Sequence, residues 1–431
     1  MRRKARKGGG RQVSLVIEAI GARGDGFAEL EGKPVFLPLT LPGDEVVARI
    51  TGETGAGLRG ESVELSTPGP GRREPPCPHF GPCGGCALQH LEEEAYRAWK
   101  AQLLPKALAQ RGLETELRPV TWIDPASRRR AVLAAKGQGR GLRLGFNQRF
   151  SHEVVGLQAC LILTPALFAA LAPLREALRS VPSGKRGLIV TLTETESGLD
   201  LLLDGETPLD LAARESLAAY AGERDLARIS WRESGGEVEP LAERRPPKLT
   251  FGGVEVVPPP GGFLQPSAAG EAALRDLILA ALPEDPGRIL ELFSGCGSFT
   301  FPLLRRGAVA AADGDAAALG ALEAAARLPE LQGRLKAEQR DLFRRPYGAD
   351  ELKSFDTVVL DPPRAGAQAQ AERLAESPVK TVVAVSCNPA TFARDARILV
   401  DGGYRLLWAA PVDQFVWSPH LELVAKFERP D

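Results

Sequence analysis

Residues 381–395, TVVAVSCNPATFARD, constrain the fold of this chain more than any other stretch. Residues 381–385 are β-branched or small, which reads as a strand buried on both faces. The run stops at Ser386-Cys387-Asn388-Pro389. Asn388 is a good N-cap and Pro389 a good first helical residue, so a helix is expected from there through about Leu399. Cys387 would then close a parallel strand just before a helix N-terminus. In open α/β sheets ligands gather at such strand ends, and the helix dipole favours a thiolate over a thiol. Two readings stand on this stretch alone: a nucleophile, or a core cysteine beside apolar strand residues.

The surrounding residues 249–431 alternate strand and helix as a doubly wound sheet does. Residues 289–292 read as a strand ending in Phe293-Ser294-Gly295-Cys296-Gly297-Ser298, with a helix to Arg305 behind it. The glycines allow a ligand close to the backbone at a strand-to-helix turn, although a G-x-G turn suits NAD or a phosphate equally. The next strand, 309–312, ends in Asp313, an acid placed to bind ribose hydroxyls. Asp341 follows a further expected strand, and Asp361 stands in VVLDPPRAG. Phe293, Asp313, Asp341 and Asp361 are therefore expected along one sheet edge. That edge resembles the one on which S-adenosylmethionine-dependent methyltransferases bind their cofactor.

A chain of 431 residues has room for two to four domains, and 44% hydrophobic residues suits globular cores. No run of eighteen apolar residues is present, so no membrane span or secretory signal is expected, and the expected location is cytoplasmic. The net charge of −1 gives no global sign of nucleic acid, but the charge is uneven. Residues 1–11 carry six Arg or Lys and no acid, which reads as a solubilising tail or a phosphate-binding one. Residues 121–150 carry seven basic residues against Asp124 alone, with Arg128, Arg130, Lys136, Arg140, Arg143 and Arg149 available to phosphates.

Residues 12–66 read as all-β, with short alternating segments at 13–17, 35–37, 45–50 and 61–65. Turn signals separate them at 21–26, at Leu41-Pro42-Gly43-Asp44 and at 52–57. About five short strands in this length suggest a small barrel of the oligonucleotide-binding kind. GDGFAELEGKPVFLPLTLPGDEVVARI resembles a TRAM domain, an RNA-binding β-barrel appended to RNA-modifying enzymes.

A Pro-rich linker then leads to CPHFGPCGGCALQH. Six cysteines in a cytosolic chain are not expected to form disulfides. Cys77, Cys83 and Cys86 follow C-x5-C-x2-C, with Cys160, His79 and His90 as candidates for a fourth ligand. A zinc site would accept Cys with His, whereas an iron-sulfur cluster is usually held by four thiolates, and the spacing leaves both open. Residues 91–112 have helical period, with a kink or break expected at Pro105 and an end at Gly112. Two or three strands are expected around the turn at 137–141. From 165 to about 243 the pattern is helix, two strands (187–194 and 199–203), then helix: an α+β domain without a catalytic motif. Residues 244–248 read as a linker. The expected organisation is a tail (1–11), a barrel (12–66), a central domain (67–248) and a catalytic α/β domain (249–431).

Together these features resemble the RNA uracil-5-methyltransferase family, in its iron-sulfur, TRAM-containing branch that makes 5-methyluridine in large-subunit ribosomal RNA. The resemblance covers nearly the whole chain after residue 11 and rests on CPHFGPCGGC with Cys160, FLQPS, LELFSGCGSFT, LDPPRAG, SCNPATFARD and a closing HLELV. It implies a Rossmann-like methyltransferase domain in which Gln265, Phe293, Ser298, Asp313, Asp341 and Asp361 contact S-adenosylmethionine. It further implies Cys387 as nucleophile, Glu422 as general base, and Cys77, Cys83, Cys86 and Cys160 as ligands of a 4Fe-4S cluster. Three positions depart from the family pattern: Ser298 stands for an Asn, Asp313 for a Glu and Asp341 for an Asn. RNA is the implied partner, with no membrane and a monomeric state.

The chemistry needs these residue types. Uracil C5 is too weak a nucleophile to take a methyl group directly, so a thiolate must first add at C6; a base must later remove the C5 proton. On alternation alone, Glu422 would be a solvated strand-face residue beside Leu421 and Leu423. A uracil inside a helix cannot reach such a site, so the nucleotide must be single-stranded or flipped. An amino-group methyltransferase would carry an aromatic after D-P-P, where this chain has Arg364, and would have no use for Cys387. A decayed RNA-binding relative would have lost Cys387 or Asp361. Methylation of a transfer RNA uridine is the remaining competitor within the family.

Overall fold

Six strands, Gln12–Val16, Ala19–Ile20, Gly26–Leu30, Lys33–Leu37, Glu45–Thr54 and Gly57–Thr67, pair into one sheet at the start of the chain. The computed structural model describes residues 11–430 except 138 and 183, so the expected basic tail lies, apart from Arg11, outside the described residues. In space the strands run first, fifth, sixth, fourth, third, second, and the fourth and sixth pair in parallel. Leu15, Ile17, Ala28, Val35, Leu37, Val46 and Ala48 form their core. The long hairpin overshoots its expected turn, with the two strands paired out to Thr54 and Gly57. Its tip is exposed on both faces, so backbone pairing continues there without any apolar alternation to announce it. Buried Asp44 accepts from the N–H groups of Leu41 (2.7 Å) and Gly69 (2.8 Å) and pairs with Arg72. Burial alone would raise this carboxyl, but the Arg72, Gly69 and Leu41 hydrogen bonds outweigh it and hold Asp44 below the ordinary carboxylate range.

Two helices follow, Glu93–Ala101 and Leu103–Ala109. The break falls at Gln102, whose N–H turns back to Trp99 O (3.1 Å), three residues before the expected site. Pro105 sits in the first turn of the second helix, where its missing N–H removes no helical bond. By its contacts the chain separates into two compact units. One runs to Leu103 and takes in Trp417–His420; the other holds Leu104–Val416 and the chain from Leu421 onward.

Among the described residues the second unit contains two large sheets and a two-stranded one, Leu249–Phe251 with Val254–Val256. The central one orders its strands Arg143–Gly145, Arg130–Lys136, Leu188–Thr195, Gly198–Gly205, Arg228–Glu233 and Val238–Glu243, with helices Pro165–Ala177 and Leu211–Glu223 packed on it. The last two strands, RISWRE and VEPLAE, carry too many charges to read as strands. Pairing across the sheet removes the penalty. Arg228 stands opposite Asp200 and binds it through two hydrogen bonds (2.9 and 2.8 Å), and Arg232 stands opposite Asp204 and pairs with it.

The catalytic sheet is built from β1 (Ile289–Leu292), β2 (Val309–Asp313), β3 (Leu335–Gln339), β4 (Thr357–Leu360), β5 (Thr381–Ser386), β6 (Arg405–Asp413) and β7 (Glu422–Glu428). Its helices include α1 (Ala268–Ala281), α2 (Thr300–Leu304), α3 (Ala316–Ala325), α4 (Gln368–Ala375) and α5 (Pro389–Asp401). The spatial order is β3-β2-β1-β4-β5-β7-β6, with β7 antiparallel to its neighbours and the rest from β3 to β5 parallel. Short strands Glu116–Leu117 and Thr121–Trp122 extend the β6 edge. Every residue of β1, β4 and β5 is buried, as continuous apolar runs require. The order reverses between β1 and β4, which opens a crevice at their carboxyl ends. Among the described residues no helix is long and apolar enough to cross a membrane.

Candidate active site

The turn from β5 into α5 forms as its residues dictate. Asn388 Oδ1 accepts from Ala390 N (3.1 Å), capping α5, and Pro389 occupies the first helical position. The same helix end clamps the DPPRAG loop that follows β4. Asn388 Nδ2 and Thr391 Oγ1 both donate to Arg364 O (3.2 Å each), Arg394 donates to Ala365 O (2.9 Å), and Asp395 accepts from Ala367 N (2.7 Å). Gly366, at φ +76°, has no room for a side chain: a Cβ there would stand 2.5 Å from Asp395 Oδ2. The clamp brings Asp361 and Arg364 to Cys387.

Cys387 is half-buried. The helix terminus was expected to favour its thiolate; the structure corrects this. Burial, then the charges of Glu422 and Asp361, push the Cys387 thiol up to about 12, against the opposing effect of Arg364. These surroundings favour the thiol over the thiolate at Cys387. Sequence alternation could not supply this, because the two acids arrive from other strands.

Glu422 opens β7 opposite Val412 of β6 and is 4% exposed, so it is not the solvated strand-face residue that alternation allows. Its Oε2 has no hydrogen-bond partner. Burial and nearby Asp361 raise the Glu422 carboxyl, while Gln414 and Arg364 oppose the shift. Asp361 is raised by burial too, and Gln265 favours its charged form. Two buried carboxyls and a thiol thus share one small space, and burial favours the neutral form of each.

Gln265 reaches this space through a buried scaffold. Its Nε2 donates to Asp361 Oδ2 (3.1 Å), and its Oε1 accepts from Gln414 Nε2 (2.8 Å). Arg129 donates to Gln265 O (3.2 Å) and pairs with Glu271 of α1 (2.6 Å). Arg130 donates to Gly262 O (3.0 Å) and Gly261 O (2.9 Å). Arg130 was expected to face phosphates and is instead spent on carbonyls of the loop before Gln265; Lys136 is paired with Glu153 (3.3 Å). Arg140 and Arg143 are exposed, as a phosphate contact needs.

Phe293, Ser298 and Asp313 lie at the carboxyl ends of β1 and β2. Phe293 takes a left-handed conformation at φ +64°, unusual for a side chain of its size and a mark of a functional turn. Asp313 Oδ2 accepts from Gly295 N (2.8 Å) and Oδ1 from Asp315 N (2.8 Å); each oxygen keeps a lone pair for a hydroxyl. Ser298 lies beside Glu271 and favours its charged form. Asp341 stands apart and exposed, accepting from Phe343 N and Arg344 N (3.1 Å each), but Phe343 lays its ring 5.6 Å from that of Phe293. Beneath the turn, Glu291 Oε2 and Ser294 Oγ are buried without partners, while the Thr300 hydroxyl favours the charged form of Glu291. Burial pushes Glu291 up to about 8, and Asp361 and Asp313 add to the shift. Orphaned polar atoms under a glycine turn, an acid with spare acceptors and two facing rings fit a cofactor with a charged amino acid end, a ribose and an aromatic base. Glu291 and Gln414 escaped the sequence reading, the first inside an apolar strand and the second without a motif.

In the first unit, Cys77, Cys83 and Cys86 share a tight loop closed by Phe80 N to Cys77 O and Cys83 N to His79 O (3.0 Å each). Gly85 N donates to Cys83 Sγ at 3.4 Å, a bond that favours a thiolate. Cys160 is partly buried against the core of the central sheet. The donor chemistry suits a metal or cluster, but among the described residues no three His, Cys, Asp or Glu side chains stand together as a metal ion would need. No step of the reaction below runs through such a group.

The sheet order is that of a Rossmann-like methyltransferase domain, with its crevice at the carboxyl ends of the strands. The family model for tRNA (uracil-5-)-methyltransferases matches residues 327–429. A Caulobacter vibrioides protein named as an uncharacterized RNA methyltransferase is 46% identical over 426 residues, 96% of this chain and 99% of that one. The 23S rRNA (uracil(1939)-C(5))-methyltransferase RlmD of Pectobacterium atrosepticum is 34% identical over 426 residues, 97% of this chain and 94% of its own. The chain belongs to the RNA uracil-5-methyltransferase family. Its fold is also that of the Pyrococcus abyssi tRNA (uracil-54, C5)-methyltransferase solved with S-adenosyl-L-homocysteine, with a TM-score of 0.75 at 24% identity over 96% of this chain and 99% of that one.

Proposed function

We propose that this protein transfers the methyl group of S-adenosylmethionine to C5 of a uridine in large-subunit ribosomal RNA through a covalent Cys387 adduct. The observation that carries the chemistry is the convergence of Cys387 with buried Glu422 and Asp361 at the β4–β5 end of the crevice. The ribosomal substrate is supported by the relation to RlmD along nearly the full length of both chains. The transfer RNA reading is favoured by the name of the matched family model. When bound, S-adenosylmethionine supplies an electrophilic sulfonium methyl group. Gln265, Phe293, Ser298, Asp313, Asp341 and Asp361 hold it at the carboxyl ends of β1 to β4.

As the uracil enters, Cys387 gives its proton to solvent and its Sγ bonds to C6, while the C5=C6 electron pair moves onto C5 and towards O4. C5, now an enolate carbon, accepts the methyl group. Glu422, as the carboxylate, takes the C5 proton; the electron pair restores C5=C6 and expels the Cys387 thiolate. Asp361 faces the uracil edge, and Arg364 favours the ionised forms of Cys387 and Glu422. The six-stranded N-terminal sheet is a TRAM barrel that binds RNA, a role supported by its sequence resemblance.

Incubation of the full chain with unmodified ribosomal and transfer RNA and methyl-labelled cofactor, followed by nucleoside digestion, should place the label in 5-methyluridine of large-subunit ribosomal RNA. Label confined to transfer RNA would overturn the ribosomal assignment, and label in another nucleoside the chemistry. The same reading gives Cys77, Cys83, Cys86 and Cys160 a 4Fe-4S cluster, supported by the family resemblance and by the N–H···S bond at Cys83. Protein purified without oxygen should then be brown, with about four irons per chain, and each Cys→Ser change should bleach it. Stoichiometric zinc without visible absorption would contradict this.

A further inference from the structure

Gln414 follows β6 and is 5% exposed, yet no motif marks it and the reaction described above does not use it. Its amide ends a buried chain: Gln414 Nε2 donates to Gln265 Oε1 (2.8 Å), and Gln265 Nε2 donates to Asp361 Oδ2 (3.1 Å). Held this way round, the chain favours the charged form of Asp361. On its other side Gln414 lies beside Glu422 and favours the charged form of that carboxyl.

The position is held at a cost in two places. Gln414 Oε1 is buried without a partner, which is costly against an apolar side chain of the same shape. Gly270, in the first turn of α1, is the second: a Cβ there would fall 2.3 Å from Gln414 Oε1 and 2.8 Å from Gln414 Cβ, so the helix keeps a glycine where alanine is the better helix former. A residue with only a packing role would be apolar here. Local rules broken twice around one amide point to a requirement of the site.

We infer that Gln414 is a positioning residue for methyl transfer, locking Gln265 against Asp361 and setting Glu422 for proton removal. The inference rests on the proposed uracil C5 chemistry and adds a residue to it. Gln414 touches neither reacting carbon in this role; it acts through Gln265 and Glu422. The charged and titratable groups that share the space with Glu422 are Asp361 and Arg364 from the loop after β4 and Cys387 after β5. Asp361 disfavours the Glu422 carboxylate, Arg364 favours it, and Gln414 works with Arg364. Removing the amide leaves Asp361 less opposed, so the pH at which Glu422 becomes a base moves up.

The test is Gln414→Met in the full chain, with wild type in parallel and Gln414→Leu as a second variant should the first not fold. Gln414→Met keeps the volume and removes the orphaned oxygen but takes the donor from Gln265 Oε1, so its thermal midpoint should stay close to that of wild type. Its kcat should fall by about 10- to 100-fold, as loss of positioning alone does. The KM for RNA should stay within about twofold of wild type, and the acid limb of the kcat profile should move to higher pH. A kcat near that of wild type would overturn the inference, and so would lost activity with a lower midpoint and an unmoved acid limb, the pattern of a structural residue. Wild type that forms no 5-methyluridine in the same assay would instead sink the function on which the inference rests.

Discussion

Cys387→Ala is expected to abolish methyl transfer, by about 10⁴-fold or more, while leaving cofactor binding and folding nearly intact. Without Sγ no bond forms at C6, C5 never becomes an enolate carbon, and nothing in the site makes up for it. The loss is chemical rather than structural. Cys387 is half-buried at a strand end and packs little, so its truncation should change stability by less than about 1 kcal/mol. Single-turnover formation of 5-methyluridine, with cofactor binding measured by calorimetry, separates the two effects. A variant that still methylates would remove the covalent scheme altogether. The thiol also sets a pH dependence. Because burial and two acids hold Cys387 up to about 12, wild type should rely on RNA binding to ionise it.

Much of this site was legible in the sequence because its parts are local. The strand, the Asn388 cap and Pro389 lie within a few residues of Cys387, so apolar run, cap and helix start could be read together and the structure has them in place. The glycine turn after β1 and Asp313 after β2 follow the same local grammar. What escaped depends on pairing at a distance. The strand Arg228–Glu233 hides behind charges that Asp200 and Asp204 on the adjacent strand neutralise, and Val238–Glu243 behind Glu239, which pairs with Arg214 of a helix. Arg130 looked like a phosphate ligand because its carbonyl partners lie more than 130 residues away. Gln414 is meaningful only beside Gln265, and the raised thiol at Cys387 only beside Glu422 and Asp361.

Glu422→Gln should stop the reaction later and leave a product. The substitution keeps the volume and mimics the neutral carboxyl that burial already favours, so the folded protein should tolerate it. Addition of Cys387 and transfer of the methyl group need no base at C5. Elimination does, and losing a positioned base slows such a step by about 10²- to 10⁴-fold. The methylated adduct should therefore accumulate as a protein–RNA complex that survives denaturing electrophoresis. Turnover at the wild-type rate would remove Glu422 from the mechanism, and accumulation of free, unmethylated RNA would place it before the transfer step.

The most direct test of the covalent Cys387 mechanism is peptide mass spectrometry on that complex, after digestion of both RNA and protein. The mechanism predicts one modified peptide, containing Cys387 and carrying a single uridine nucleotide heavier by one methyl group. A nucleotide attached to any other residue, or a Cys387 adduct lacking the methyl group, would contradict it.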